Sequence, residues 1–136
     1  MARITEEEFT RLTTGKPSKK RKYNNKPVTY YDPDLKESLK FDSIKERDYY
    51  LILRDREKRG EIIDLARQVE IEIQPGFTRP DGVKERPIKY IADFAYNDLK
   101  RRPHYIDVKG GEATKTPGYR LKRKLLAYKG VYIEEV

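Results

Sequence analysis

The sequence predicts an α/β fold, in which a mixed β-sheet has helices packed against it in the order α-β-β-β-α-β. Apolar and polar residues alternate at residues 69–73 and again from about residue 84 to residue 96, which is typical of strands. Helix start and stop signals stand before and after these two runs. A chain of 136 residues has about the length of one domain, so we expect a single compact unit.

The segment before the two alternating runs is predicted to form a short strand and then a helix. Residues 28–31 are expected to be the strand, because an Asp-Pro-Asp turn follows at residues 32–34. Ser43 is a suitable N-cap for the helix. The helix should run to about Arg59, since Gly60 is placed to end it.

The two alternating runs are predicted to pair as an antiparallel hairpin, because the turn residues Arg-Pro-Asp-Gly separate them at residues 79–82. A third strand is expected at residues 104–109. His104, at its start, is expected to have a strand-end or surface role rather than that of a catalytic base.

The C-terminal part is predicted to form a second helix and a last strand. Thr116 is a suitable N-cap, with Pro117 at the first helical position, and Gly130 should end the helix before a strand at residues 131–135. The stripe of this helix that faces the core is expected to consist of Leu121, Leu125 and Tyr128.

The charge is strongly positive and unevenly distributed. The formal net charge of +8 favours a polyanionic partner, because each Lys or Arg that contacts a phosphate releases counterions. Residues 16–26 hold six basic residues and no acidic one, and residues 115–129 hold six more, again without an acid. We expect residues 1–27 to form a basic, flexible arm and residues 28–136 to form the folded domain.

The composition also excludes several classes of protein. The chain has no cysteine, which excludes a disulfide scaffold and a thiolate metal site. No segment has the pattern of a signal peptide, and no run of about 18 apolar residues is present. We therefore expect a cytoplasmic protein with no membrane partner.

Three carboxylates and one lysine stand where the local pattern asks for apolar or neutral residues. The apolar stripe of the first helix extends back one turn onto Glu46. In the second strand of the hairpin, Asp93 lies among small or apolar neighbours on its face. In the third strand, Asp107 and Lys109 share a face because side chains alternate.

Each of these charges alone fits a salt bridge or a half-exposed strand edge. If the third strand pairs beside the second, however, Asp93 and Asp107 point into one pocket, and the first helix brings Glu46 to it. Converging carboxylates repel one another unless a divalent metal neutralises them. Oxygen ligands suit Mg²⁺ or Mn²⁺, and such a pocket, with a lysine beside it, supports phosphodiester hydrolysis.

These residues resemble the active site of the PD-(D/E)xK nucleases, which share the restriction-endonuclease-like fold. The resemblance rests on Glu46 in FDSIKERDYY, Asp93 in IKYIADFAY, and Asp107 with Lys109 in IDVKG, and it covers about the last 95 residues. The same stretch resembles a family of phage and prophage proteins of uncharacterised role within that superfamily. Ala92 stands where the proline that names the superfamily would be.

The resemblance implies a restriction-endonuclease-like core in a nuclease domain of residues 28–136, and Mg²⁺ as cofactor, with Mn²⁺ able to substitute. It implies that Asp93 bridges the metals and that Asp107 and the Val108 carbonyl hold the catalytic one. Glu46 would bind directly or through water, and Lys109 would assist the nucleophile.

Basic residues of the arm and of the second helix are expected to bind DNA. The amides and cationic side chains at the start of that helix can hold phosphate. The predicted DNA contacts are Lys19, Lys20, Arg21, Lys22, Lys115, Tyr119, Arg120, Lys122 and Lys124.

The function expected from these observations is that of a metal-dependent DNA endonuclease that selects branched DNA. The specific expectation is a homodimeric Holliday-junction resolvase of phage replication or recombination, in a bacterial host. No base-reading module is recognisable, which favours recognition of shape. The alternatives are a flap or nicking nuclease, a transposase-type nuclease subunit, and a non-catalytic basic nucleic-acid-binding protein with a nuclease-like core.

Overall fold

The structure, a computed structural model, describes residues 26–109 and 115–136. This part of the chain has an α/β fold with two helices and a mixed four-stranded sheet. The predicted arm of residues 1–27 lies outside the described residues except for its last two. The elements are β1 (Val28–Asp32), β2 (Glu37–Phe41), α1 (Ile44–Lys58), β3 (Ile63–Gln74), β4 (Phe77–Thr78), β5 (Lys84–Glu85), β6 (Ile88–Asn97), β7 (Pro103–Asp107), α2 (Pro117–Tyr128) and β8 (Ile133–Glu135).

The central sheet has the strand order β3-β6-β7-β8. The β3–β6 and β6–β7 pairs are antiparallel, whereas β7 and β8 are parallel and are connected through α2. The predicted order α-β-β-β-α-β is therefore confirmed as α1-β3-β6-β7-α2-β8. Since β7 lies beside β6, as expected, the strands that carry Asp93 and Asp107 are neighbours.

Both predicted helix caps are confirmed. The Ser43 hydroxyl accepts a hydrogen bond from the amide of Glu46 at 3.1 Å, and the Thr116 hydroxyl accepts one from the amide of Tyr119 at 3.1 Å. These bonds satisfy amides that a helix leaves without partners in its first turn. They also fix the start of α1, and with it the position of Glu46 on the helix.

A hairpin of β1 and β2 packs on α1, and only its first strand was predicted. In β2, Leu39 and Phe41 are buried in the core next to α1. The charged residues Glu37 and Lys40 of this five-residue strand are both exposed. Two apolar side chains among charges are too weak a signal to indicate a strand without the rest of the fold.

The second alternating run is divided, contrary to the prediction of one strand from residue 84 to residue 96. It breaks at Arg86-Pro87, and its first part forms the small β4–β5 hairpin around the predicted turn. Gly76 permits this arrangement, since an added Cβ would lie 3.1 Å from the Glu85 carbonyl oxygen and 3.1 Å from Pro87 Cδ. The regular strand β6 begins only after the proline.

The buried side chains form two hydrophobic clusters, and β6 contributes to both. Phe94 and Tyr96 pack in the cluster beside α1, whereas Tyr90 and Ala92 pack in the cluster beside α2. The four side chains share one face of β6, but they divide between two cores. The division falls at Asp93.

The inward side of α2 differs from the predicted one. Tyr119 and Leu126 are the buried residues of this helix. Arg123, between them, pairs with Glu135 of β8 at 2.6 Å, so the inward side includes an ion pair that an apolar pattern cannot show. The three residues expected to face the core are exposed by 59%, 37% and 92%, in the order Leu121, Leu125 and Tyr128.

Neither helix of the described residues is long and apolar enough to cross a membrane.

Candidate active site

The candidate site lies at the end of β7, where Asp107 and Lys109 lie together. The Lys109 ammonium is 2.7 Å from Oδ2 of Asp107, whose residue is only 5% exposed. The Tyr90 hydroxyl of β6 donates a hydrogen bond to the same carboxylate oxygen. Lys109 also lies 3.7 Å above the centre of the Tyr119 ring. Asp107 and Lys109 therefore form a largely buried ion pair that packs on an aromatic ring, rather than an ion pair on the surface.

Asp93 reaches the same place from the neighbouring strand. Its Oδ2 accepts a hydrogen bond from the Val108 amide at 2.8 Å, and its side chain shares a hydrogen bond with that of Asp107. Burial, the largest cause, and the hydrogen bond with Asp107 together raise the pKa of Asp93 to about 8, while the Val108 amide opposes the shift. The Asp93 carboxyl therefore favours its protonated form more strongly than a free aspartate does.

Glu46 completes the group of carboxylates from α1. It is buried, with an exposure of 4%. Burial raises its pKa, and the charges of Asp42 and Asp107 raise it further, whereas the Arg67 guanidinium lowers it. The Gln68 amide nitrogen donates to Oε1 of Glu46 at 3.4 Å. The charges of Glu46, Asp93 and Asp107 are thus close enough for Glu46 to affect the pKa of Asp93 and for Asp107 to affect that of Glu46.

Backbone hydrogen bonds hold the end of β7 in place. The Lys109 amide donates to the Val136 carbonyl at 2.9 Å, and the Val136 amide donates to the Asp107 carbonyl at 3.0 Å. The Lys45 ammonium donates to the Lys109 carbonyl at 2.6 Å, which ties the first turn of α1 to this strand end. The two segments that supply the site are therefore directly connected.

The donor chemistry of this group suits a hard divalent cation. Three carboxylates offer only oxygen, the atom that Mg²⁺ and Mn²⁺ prefer, and a cation would offset the cost of burying Glu46, Asp93 and Asp107 together. Among the described residues, however, no three acidic, His or Cys side chains already form a group that could hold a metal ion. To bind an ion, Asp93 and Asp107 would both have to be deprotonated, and Lys109 would have to release Asp107.

Comparison with known proteins places the chain in a family. A family model matches residues 20–135. The chain belongs to the family described as "Protein of unknown function (DUF1064)". No curated protein matches the sequence. The match spans both helices and the whole sheet, so the candidate site lies within the part of the chain that defines a DUF1064 protein.

Sequence reasoning missed three DUF1064 residues that contact the site. Tyr90 was not recognised as a site residue, although its hydroxyl donates to Asp107. Gln68 lies opposite Asp93 in the β3–β6 ladder, a relation that depends on strand register. Lys45 is next to Glu46 in the sequence, and this adjacency was the available signal for its contact with the β7 end.

The predicted DNA-binding cations of the DUF1064 domain differ in accessibility. Arg120 and Lys124 are exposed on α2, and Lys122 is half-buried. Lys115 is half-buried, with its ammonium 3.5 Å from Oε2 of Glu135. The predicted contacts that lie outside the described residues are Lys19, Lys20, Arg21 and Lys22.

The prediction that Tyr119 contacts DNA needs correction. Its side chain is 8% exposed and packs in the cluster beside α2, where its ring contacts that of Tyr90. A buried ring cannot stack on a nucleotide outside the fold. Tyr119 instead forms the surface under the Lys109 ammonium.

His104 has a structural environment, consistent with the strand-end role expected for it. Its two ring nitrogens lie 3.0 Å from Asp98 Oδ2 and 3.1 Å from Glu134 Oε1, and its ring stacks on Tyr96. The hydrogen bond with Asp98, and then that with Glu134, raises the pKa of the imidazole. His104 lies toward the start of β7, whereas the candidate site lies at its end.

Proposed function

We propose that this DUF1064 protein is a metal-dependent DNA endonuclease with a restriction-endonuclease-like core. The observation that carries the proposal is the hydrogen-bonded pair of buried Asp107 and half-buried Asp93 beside the ammonium of Lys109. Burying like charges together destabilises a fold, so such groups concentrate at functional sites. The order of Glu46, Asp93, Asp107 and Lys109 along α1, β6 and β7 supports the same reading.

In this proposal the carboxylates of Glu46, Asp93 and Asp107 hold Mg²⁺ or Mn²⁺, together with the Val108 carbonyl. When bound, the ion supplies Lewis-acid polarisation of the scissile phosphate. Asp93 and Asp107 would hold the ion as carboxylates, with any proton on Asp93 passing to solvent. The Lys109 ammonium, released from Asp107, then holds a phosphate oxygen or the attacking water.

The substrate that we propose is branched DNA, and Holliday-junction resolution in phage replication or recombination is the specific activity. A helix with six cations and no acid in and around it, at residues 115–129, supports contact with phosphates rather than base edges. Resolution requires two sites that cut symmetric strands, so the proposal includes a homodimer.

A four-way DNA junction incubated with Mg²⁺ tests this function. We expect symmetric paired nicks from the wild type, and a loss of at least about 10²-fold in rate for Asp107→Asn, because a ligand and the partner of Lys109 are removed. Asp48→Asn, an exposed carboxylate on α1, is the matched control and should retain activity. Cleavage of flaps or single strands, with the junction left intact, would contradict junction resolution and would support the flap or nicking activity instead.

A second candidate is a non-catalytic, basic nucleic-acid-binding protein that has a nuclease-like core. One observation favours it: Lys109 already neutralises Asp107, and no complete metal-ligand group is formed by the described residues. A wild-type protein that binds the junction but never cuts any DNA with Mg²⁺ or Mn²⁺ would support this candidate. Asp107→Asn that loses cleavage but keeps binding would exclude it.

A further inference from the structure

Gln68 has an unusual backbone conformation in the middle of β3. Its φ angle is +50°, in the left-handed region. Its neighbours Arg67 and Val69 pair with Phe94 and Ala92, so Gln68 lies directly opposite the residue between them. That residue is Asp93. Residues other than glycine, asparagine and aspartate seldom adopt this conformation, so a glutamine here needs a separate explanation.

Three other non-glycine residues with positive φ have ordinary explanations. Lys36 is an exposed residue at the end of a turn, and Arg101 follows a turn in which its amide bonds to the Asp98 carbonyl. Asp64 belongs to a residue type that tolerates this region, and its carboxylate accepts a hydrogen bond from Asn97. Gln68 differs from all three, because it is not in or beside a turn, is not of a residue type that tolerates this region, and lies within the regularly paired part of β3.

The fold explains the backbone but not the choice of residue. The two hydrophobic clusters change over at the ladder position of Gln68, and glycine would serve such a bend at lower cost. Glutamine adds a side-chain amide, which donates to Oε1 of Glu46 at 3.4 Å. A strained residue that contacts a candidate ligand is a pattern found at functional sites.

We propose that Gln68 is a positioning residue, which holds the Glu46 carboxylate in place for metal binding beside Asp93 and Asp107. The inference rests on the proposed function, because it assigns Gln68 a role toward the same ion. It also explains why a strained backbone is retained where glycine would stabilise the domain. Gln68 itself is not assigned as a metal ligand.

Replacement of Gln68 by glycine separates the two effects. We expect Gln68→Gly to raise the melting temperature of the metal-free protein by about 2 to 5 °C, because the strain is relieved. We expect its affinity for Mn²⁺, measured by titration calorimetry, to fall about tenfold, because Glu46 is no longer held. The control Lys36→Gly relieves the same strain in a turn, and it should raise the melting temperature without a change in Mn²⁺ affinity. Unchanged affinity in Gln68→Gly overturns the proposal.

A second measurement does not depend on the metal. In the nuclear magnetic resonance spectrum of the metal-free protein, the side-chain amide signal of Gln68 should move when Glu46 is replaced by alanine. It should stay in place with the control Asp48→Ala. If the wild type binds no Mn²⁺, the proposed metal-dependent function fails, and this signal alone then decides whether Gln68 holds Glu46. An unmoved signal overturns the inference in either case.

Discussion

At the scale of single residues, the candidate site is a small group of charges that neutralise one another. Asp93 and Asp107 are hydrogen-bonded to each other, and Lys109 and Tyr90 contact the Asp107 carboxylate. The sequence showed Asp93, Asp107 and Lys109, because charges in a strand pattern are conspicuous. It did not identify Tyr90 as a site residue, since a tyrosine in a strand can belong to a core or to a functional site. The two cases differ only in the hydrogen-bond partner of the hydroxyl, which the sequence does not give.

The raised pKa of Asp93 predicts how the stability of the fold depends on pH. The folded-state pKa of Asp93, about 8, lies above its ordinary value of 3.8, so between these values the folded protein binds a proton that the unfolded chain lacks. The metal-free protein should therefore lose stability as pH rises through this range. Asp93→Asn removes this titration, so its stability relative to the wild type should increase between about pH 5 and about pH 8.

Urea unfolding in the presence of a chelator, at several pH values, measures this difference. Asp48→Asn, at an exposed position on α1, provides the control, and its stability should parallel that of the wild type. A stability of Asp93→Asn that stays constant or falls relative to the wild type as pH rises would contradict the raised pKa of Asp93.

At the scale of elements, both helices begin where their capping residues predicted, but the buried side of α2 does not follow its apolar stripe. The caps depend on local hydrogen bonds of Ser43 and Thr116, which the sequence contains in full. The buried side depends on partners from other elements. Arg123 of α2 pairs with Glu135 of β8, and this contact cannot be inferred from the sequence of the helix alone.

Two adjacent leucines test the orientation of α2. Leu126 is fully buried, whereas Leu125, expected from the sequence to face the core, is 37% exposed. We expect Leu126→Ala to lower the free energy of unfolding by about 2 to 5 kcal/mol, because it leaves a cavity in the cluster beside α2. Leu125→Ala should cost less than about 1 kcal/mol. Urea unfolding measures both, and a larger loss for Leu125→Ala would reverse the assignment.

At the scale of the whole molecule, the strand order was predictable because alternating patterns and helix signals occur in sequence order. What was not predictable comes from contacts between distant segments. β2 was missed because Leu39 and Phe41 are buried by contacts with α1, which the sequence of β2 alone does not show. The division of β6 was missed because period-two alternation continues unchanged through Asp93 while the surrounding core changes.

The positive charge of the molecule predicts a strong dependence of DNA binding on salt. If about 6 to 10 phosphates are contacted, affinity should fall about 10³- to 10⁵-fold between about 50 and 200 mM salt. Lys124→Ala, at an exposed position on α2, should remove one phosphate contact. The slope of log affinity against log salt concentration should then fall by about 1. Lys36→Ala, in the turn after β1, is the control. Fluorescence anisotropy with a labelled junction measures both, and an affinity independent of salt would contradict phosphate-based binding.

The parallel pairing of β7 with β8 also governs the order in which the molecule can be assembled during synthesis. Residues Asp107 and Lys109 obtain backbone partners from Val136, which the ribosome adds 27 or more residues later than either of them. Pairs of parallel strands form slowly, because the segment that connects them must be ordered first. An incomplete chain therefore lacks the contacts that fix this strand end.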